Sequence, residues 1–340
     1  MKLTFALTTV ATALWSSPVT AWWDNGHMLV GQVATQLMAP KDVATIESVL
    51  SKWEADFPNT NTITTAAIWP DLVKCKKVTS YCTSPLTPSL GQMEEWHFVD
   101  LPVNTDGSDW NGKEADFDLF KESLGGEAVD FIEKSMSIMA TTKSNWAANL
   151  VLRNVIHVIG DLHQPLHTVG GVTPELPKGD QGGNSWVFQQ PCPATNLHAL
   201  WDAAGGEYSL NNWAPKIDFQ DKLEKNATEL LSYLPSAADG IDFEQYKDLP
   251  YEKFQEAMVK GNGIKSIILD SYNYAQNMLY PSLDLTNISD KKDITVVCPA
   301  DWYFTWAAQV AKMRIAQGGK RLSVVLTQFA RQLRARGLGA

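Results

Sequence analysis

Residues 155–170 read V-I-H-V-I-G-D-L-H-Q-P-L-H-T-V-G and constrain the chain more than any other stretch. His157 and Asp161 are four apart, so a helix stacks them on one face, one turn from each other. Pro165 cannot continue that helix without losing a backbone donor. The chain therefore turns there and presents His167 beyond the helix end. A lone histidine on an apolar helix face is usually a packed core residue. Here, nitrogen and oxygen ligands converge within eleven residues. Imidazole and carboxylate together suit zinc. The same His-x-x-x-Asp spacing recurs at His198 and Asp202. Two such pairs plus His167 supply ligands for more than one ion, and three protein ligands with an open position is the pattern of a catalytic zinc.

The N-terminus reads as a secretory signal. Met1-Lys2 is basic, residues 3–15 are apolar, and residues 16–21 are small and turn-prone, with Val19-Thr20-Ala21 as the cleavage site. The apolar run is too short to span a bilayer, and no second apolar stretch is long enough to do so. Cleavage leaves residues 22–340, read as a single domain because no linker, repeat or low-complexity segment divides them. Four cysteines in a secreted chain suggest two disulfides, out of three possible pairings. Cys75 with Cys82 closes a short loop and is preferred, which leaves Cys192 with Cys298. Sequons at Asn226 and Asn287 fit surface glycosylation. The net charge of −10 argues against binding nucleic acid through a broad basic surface. It leaves room for an enzyme whose positive potential comes from bound cations.

Apolar spacing is helical over most of the chain, and the fold class is mainly α with few short strands. Helices are expected over 28–38, stopped by Pro40, and over 43–53, 128–140, 146–162 and 196–204. Residues 60–73 are helical with a bend or a fresh helix start at Pro70-Asp71. A helix over 254–278 has a weak point at Gly261-Asn262-Gly263, and two separate helices, 302–315 and 321–333, close the chain. Residues 95–100 look extended and end at Pro102. Residues 103–115 and 170–184 read as loops, and 185–188 as a short strand.

Six segments together resemble the S1/P1 nuclease family of secreted zinc-dependent nucleases and 3′-nucleotidases. They are W-W-D-N-G-H at 22–27, I-W-P-D at 68–71, W-H-F-V-D at 96–100, H-V-I-G-D-L-H-Q-P-L-H at 157–167, G-G-N at 182–184 and H-A-L-W-D at 198–202. A weaker likeness continues to Arg321-Leu322. The resemblance implies a single-domain helical fold of the S1/P1 nuclease and zinc phospholipase C type, holding three zinc ions. One zinc would take Asp71, His97, His157 and Asp161. Asp161 would bridge to a second zinc, held also by His27 and by the amino nitrogen and carbonyl oxygen of Trp22. The third would take His167, His198 and Asp202. Trp22 offers an α-amino group only after cleavage and deprotonation. His163 falls outside this set and is assigned a place behind the ligands or on the surface.

Three zinc ions against three ligating carboxylates leave a site near +3, roughly, within an acidic protein, which suits a phosphodiester. Two-metal logic then leads to in-line attack of water on phosphorus, departure of a 3′-oxygen and products with 5′-phosphates. Asp71 orients the attacking water as well as ligating, and Lys74, one turn on, stabilises transition-state charge. Phe98 and Asp100 match the family's base-binding residues: the ring stacks on any base, and the carboxylate accepts from base N–H groups. Asn184 either bonds substrate phosphate or holds a ligand-bearing loop. The expected substrates are single-stranded DNA, RNA and nucleotides, handled by a secreted monomer without a membrane or a stable protein partner. Two rivals are a zinc phospholipase C and a secreted zinc-binding protein without activity; the second predicts a degraded ligand set, whereas every expected ligand is present.

Overall fold

A computed structural model describes residues 22–75, 82, 91–105, 118–173, 176–209, 220–234, 240–285 and 294–339. The signal segment and Asn287 lie outside them. The chain is mainly α, as its apolar periodicity requires. Helices α1 (Asp24–Leu37), α2 (Pro40–Leu50), α3 (Ile63–Ala66) and α4 (Trp69–Leu72) precede a short strand, β1 (Leu101–Asn104). Then come α5 (Ala128–Thr141), α6 (Asn145–Asp161), β2 (Val169–Val172), β3 (Val187–Phe188), α7 (Leu197–Asp202) and α8 (Gln220–Leu230). The chain closes with α9 (Tyr251–Val259), α10 (Gly263–Tyr274), β4 (Thr295–Val296) and α11 (Asp301–Ala335). Pro40 and Pro70 each open a helix, where a missing N–H costs nothing. The break at Asn262 is real: this residue adopts φ 63° and separates α9 from α10.

Helix α6 is the central element. Every residue from Val151 to Asp161 is buried, and α6 packs on α2, α3, α4, α5 and α11. One apolar cluster runs from Trp22 to Leu338 and joins these helices. No helix among the described residues is long and apolar enough to cross a membrane.

The closing segment differs from its expectation. It is one continuous helix of 35 residues, not two. Gly318 and Gly319 look like a break, yet they serve packing. A Cβ at Gly319 would lie 2.5 Å from Val33 of α1, and one at Gly318 would lie 3.2 Å from the His163 ring. The glycines let α11 approach α1 and the end of α6 closely, and flanking burial overrides their weak helix propensity.

Residues 95–100 also differ. A 3₁₀ turn covers Gly91–His97, and the strand comes after it. Leu101, Pro102 and Val103 are all buried, as in a strand covered on both faces. The strand continues through Pro102 and takes the first residues of the expected loop. β1 pairs in parallel with β2, Leu101 opposite Val169 and Asn104 opposite Val172, so the expected 170–184 loop also begins as strand. β3 and β4 pair in parallel, and the nearby Cys192–Cys298 disulfide joins the same two chain segments. Cys75–Cys82 forms the other expected bond. Asn226 lies half-buried on α8, a helix whose apolar positions Leu223, Ala227 and Leu230 are too sparse to stand out in sequence.

Gly319→Ala tests the close approach of α11. A helical Gly→Ala change ordinarily stabilises by about 1 kcal/mol, whereas overpacking costs roughly 1–3 kcal/mol. The variant is expected to unfold at lower urea concentration than the parent; a stabilised variant would show that the contact with Val33 is not tight.

Candidate metal centre and substrate cleft

Five separate chain segments deliver polar side chains to one buried region beside the end of α6. The helix itself carries His157 and Asp161, both fully buried. α1 brings His27 against it, and the ring stacks on His157 with centroids 3.8 Å apart. Gly160 makes this possible, since a Cβ there would lie 3.0 Å from His27 Nδ1. Trp22 is also fully buried, and its indole N–H donates to the Gly160 carbonyl at 3.0 Å, which seats the start of residues 22–27 on α6. Asp71 enters from the first turn of α4, and His97 ends the 3₁₀ turn.

The second part of the region comes from His167, in the Pro165–His167 turn, and from His198 and Asp202 on α7. β1 and β2 bring the parts together. His97 lies just before one strand and His167 just before the other, and parallel pairing sets them side by side. His167 Nδ1 donates to the His97 carbonyl at 3.0 Å, and the Val99 N–H donates to the His167 carbonyl at 3.0 Å.

These residues form three groups able to hold a metal ion: His27, Asp71 and His157; His97, His157 and Asp161; and His167, His198 and Asp202. Within each group the ligand atoms lie within 4.8 Å of one another. His157 and His198 fix their tautomers on backbone carbonyls: Nδ1 of His157 donates to Ala67 at 2.5 Å and Nδ1 of His198 to Gly182 at 2.7 Å. Each Nε2 then carries a lone pair toward the cluster. His167 does the same, with its Nε2 3.2 Å from that of His198.

The electrostatics fit a cation. Burial pushes His27 and His157 down to about 4, and holds His97 and His167 well below the usual imidazole range. Neutral imidazole is the ligating form. Burial pushes Asp161 up to about 8 and raises Asp202 as well. Asp161 comes within 3.2 Å of His27 Nε2 and 3.0 Å of His97 Nδ1, yet neither of its oxygens makes a hydrogen bond, and both His27 nitrogens are likewise unsatisfied. Such proximity is not an ion pair, because the imidazoles are neutral. Buried polar atoms without partners are costly in a dry interior, and a divalent cation turns them into ligands.

A cleft of about 260 Å³ opens beside these groups. Its lining includes His97, His167 and His198, and also Lys74, Phe98 and Asp100. Lys74 Nζ donates to Asp71 Oδ1 at 2.7 Å. Burial would raise the Asp71 carboxyl, but the Lys74 ammonium together with His157, His97 and His27 outweighs it and holds the group well below its ordinary value. Asp100 behaves oppositely. Burial, then the Asp180 and Glu95 carboxylates, push it up to about 8. Asp100 is fixed by its backbone, which exchanges hydrogen bonds with Leu124 and Gly125. Gly125 packs beside both the Phe98 ring and Asp100 Oδ2.

Two expected roles take shape differently. The Asn184 amide donates to the Gln181 carbonyl at 2.9 Å, and its Oδ1 accepts from Asn196 at 3.4 Å. Asn196 in turn caps α7, accepting from the Ala199 N–H at 2.7 Å. Asn184 therefore touches the loop and helix that carry His198. His163 is fully buried, which corrects its possible place on the surface. Its Nδ1 donates to Ile159 at 2.6 Å and its Nε2 accepts from Arg321 at 2.9 Å, so it ties the end of α6 to α11. Sequence reasoning missed Glu94, Glu95 and Gln181 in the cleft, Asp180 beneath it, and Gln164. Asp180 accepts from Gly171 N, Trp186 Nε1 and Tyr280 Oη at 2.7–2.8 Å and so shapes the 170–184 segment. None carries a local signal, because each acts through a partner distant in sequence or through a loop.

The family model described as S1/P1 Nuclease matches residues 22–331. Nuclease S1 of Aspergillus oryzae is 26% identical over 226 residues, covering 65% of this chain and 68% of that protein. Endonuclease 4 of Arabidopsis thaliana is 28% identical over 315 residues, covering 91% of this chain and 89% of the relative. Endonuclease 2 of the same plant is 24% identical and covers 93% of each chain. The buried His/Asp groups, the cleft beside them and a family match across nearly all of residues 22–340 lead to one assignment: this chain is a nuclease, a hydrolase belonging to the S1/P1 nuclease family.

Proposed function

We propose that this protein is a secreted, three-zinc phosphodiesterase that cleaves single-stranded DNA and RNA to products bearing 5′-phosphates, and that it also removes 3′-phosphates from nucleotides. The observation that carries this reading is the gathering of three buried His/Asp groups beside one cleft, which His97, His167 and His198 of two of the groups line together with an aromatic ring and a lysine. Residues 1–21 act as the signal peptide, and residues 22–340 form one domain and a monomer. The two disulfides and the apolar cluster that runs from Trp22 to Leu338 support this.

Asp71, His97, His157 and Asp161 would hold one zinc. Asp161 would share a second with His27 and the Trp22 amino and carbonyl groups, and His167, His198 and Asp202 would hold the third. Zinc bound there lowers the pKa of water and stabilises charge on phosphate. Lys74 adds a fixed positive charge to the cleft, beside Asp71, which also aims the attacking water. Phe98 stacks on the base, a contact every base can make, which suits single strands without sequence preference. With its proton retained near neutral pH, Asp100 offers the base edge both a donor and an acceptor. Asn184 holds the loop that carries the Gly182 carbonyl against His198. Glu94 and Glu95 disfavour a second phosphate at the base end of the cleft. The W-H-F-V-D segment at 96–100 and G-G-N at 182–184 favour nucleic acid over the lipid substrate of a zinc phospholipase C.

Digestion of single-stranded DNA and RNA is expected to stop on treatment with a strong chelator and to resume on addition of zinc, leaving 5′-phosphate ends. Activity that survives chelation, 3′-phosphate ends, or faster turnover of phosphatidylcholine than of DNA would each overturn the reading. Chelation is also expected to lower the melting temperature, since ions bound only by the folded state stabilise it.

Asp100→Asn keeps both a donor and an acceptor and is expected to keep KM for mononucleotides near that of the parent, while Asp100→Ala raises it about tenfold, the worth of one good hydrogen bond. Equal KM values for Ala and parent would remove Asp100 from base binding.

Residues added before Trp22 abolish the free α-amine. Such a chain is expected to lose one zinc and most activity, measured by metal content and turnover; full retention of both would remove Trp22 from the ligand set.

A further inference from the structure

We infer that Gln164 is the positioning residue of the third zinc: its side-chain amide orients Asp202 and at the same time fixes the turn that presents His167. The inference rests on the three-zinc reading above and assigns a role to a residue that is not itself a ligand.

The Gln164 side chain is fully buried, and both ends of its amide are used. Nε2 donates to Asp202 Oδ1 at 2.8 Å. Oε1 accepts from the Leu166 N–H at 2.6 Å and so caps the Pro165–His167 turn. One planar group thus spans two segments, 38 residues apart, that carry ligands of the same ion. With Oδ1 engaged, Asp202 directs Oδ2 toward His198, whose Nε2 is 3.4 Å away. The remaining neighbour, His167 Nε2, lies 3.2 Å from the same His198 nitrogen. Gln164 therefore leaves one carboxylate oxygen and two imidazole nitrogens facing one point.

The residue type matters. An amide donor orients the carboxylate without cancelling its charge, whereas Lys or Arg would compete with the cation. Glutamate would set a second carboxylate against Asp202. Asparagine is one methylene too short to reach both partners. Pro165 completes the device: the residue before a proline is held out of the helical region, and Gln164 adopts φ −83° and ψ 116°. That extended geometry ends α6 and aims the side chain away from the helix and toward α7.

The test compares parent, Gln164→Met and Gln164→Asn, each with its native N-terminus, loaded with zinc and then dialysed against a weak chelator. Both variants are expected to fall from three zincs to two, and to regain the third only in excess zinc. Zinc affinity at that position should drop about ten- to a hundredfold, the usual effect of losing a hydrogen bond to a ligand. The stripped variants are expected to melt somewhat below the stripped parent, because a buried turn-capping bond is lost, while the other two zincs keep the parent's affinity, which a merely structural role would not allow. Variants that hold three zincs and release them at the parent's rate overturn the inference. So do variants that lose all ions together. A parent chain that never holds three zincs overturns the three-zinc reading, and the inference with it.

Discussion

A carboxylate with no hydrogen bond, sealed in the middle of the protein, is the constraint on which the rest depends. Asp161 sits at the end of α6 with both oxygens buried and neutral imidazoles about 3 Å away. A dry interior does not tolerate such a group alone. The surrounding architecture is consistent with a cation being the missing partner. Glycine at 160 lets His27 approach, and Trp22 locks the start of α1 against the same turn. Histidine tautomers are set by backbone carbonyls, so that bare nitrogens face inward. The apolar shell that makes the site dry also raises the cost of leaving these polar atoms unpaired, so an ion bound only by the folded state would add to its stability.

The second organising feature is the short parallel pair β1–β2. It has too few residues to add much stability by itself. It does fix the distance between His97 and His167, members of two different His/Asp groups, by placing each just ahead of a paired strand. The hydrogen bond from His167 to the His97 carbonyl makes the link direct. A rigid carbonyl thus orients one ligand while belonging to another. His163 and Arg321 join the end of α6 to α11, so the 35-residue helix braces the end of the helix that carries His157 and Asp161.

Much of the fold was legible because helical burial repeats every three to four residues, and α1, α2, α5 and α6 follow that period closely. The misreadings have one cause. Gly318 and Gly319 carry a local signal for a break, but two neighbouring elements demand the space, and tertiary packing overrides propensity. Residues 95–100 carry apolar residues at strand-like spacing, yet the turn over Gly91–His97 takes the first half and the strand begins after it. Local pattern shows what a segment can do; a partner decides where it starts. Helix α8 failed the other way, with too little apolar surface to register.

By itself, the sequence determined the kind of chemistry. Histidine and aspartate at four-residue spacing, twice, with a proline turn between His163 and His167, identify a helix-borne ligand set whatever surrounds it, since periodicity within one element is a property of the chain alone. Only the tertiary structure decided that His163 ties α6 to α11, which carbonyls set the tautomers, and that Gln164 and Asn196 hold together the segments bearing His167, His198 and Asp202. Those assignments depend on elements that meet across tens or hundreds of residues. Spacing along the chain reports neighbours on one helix, and says nothing of the neighbours that packing supplies.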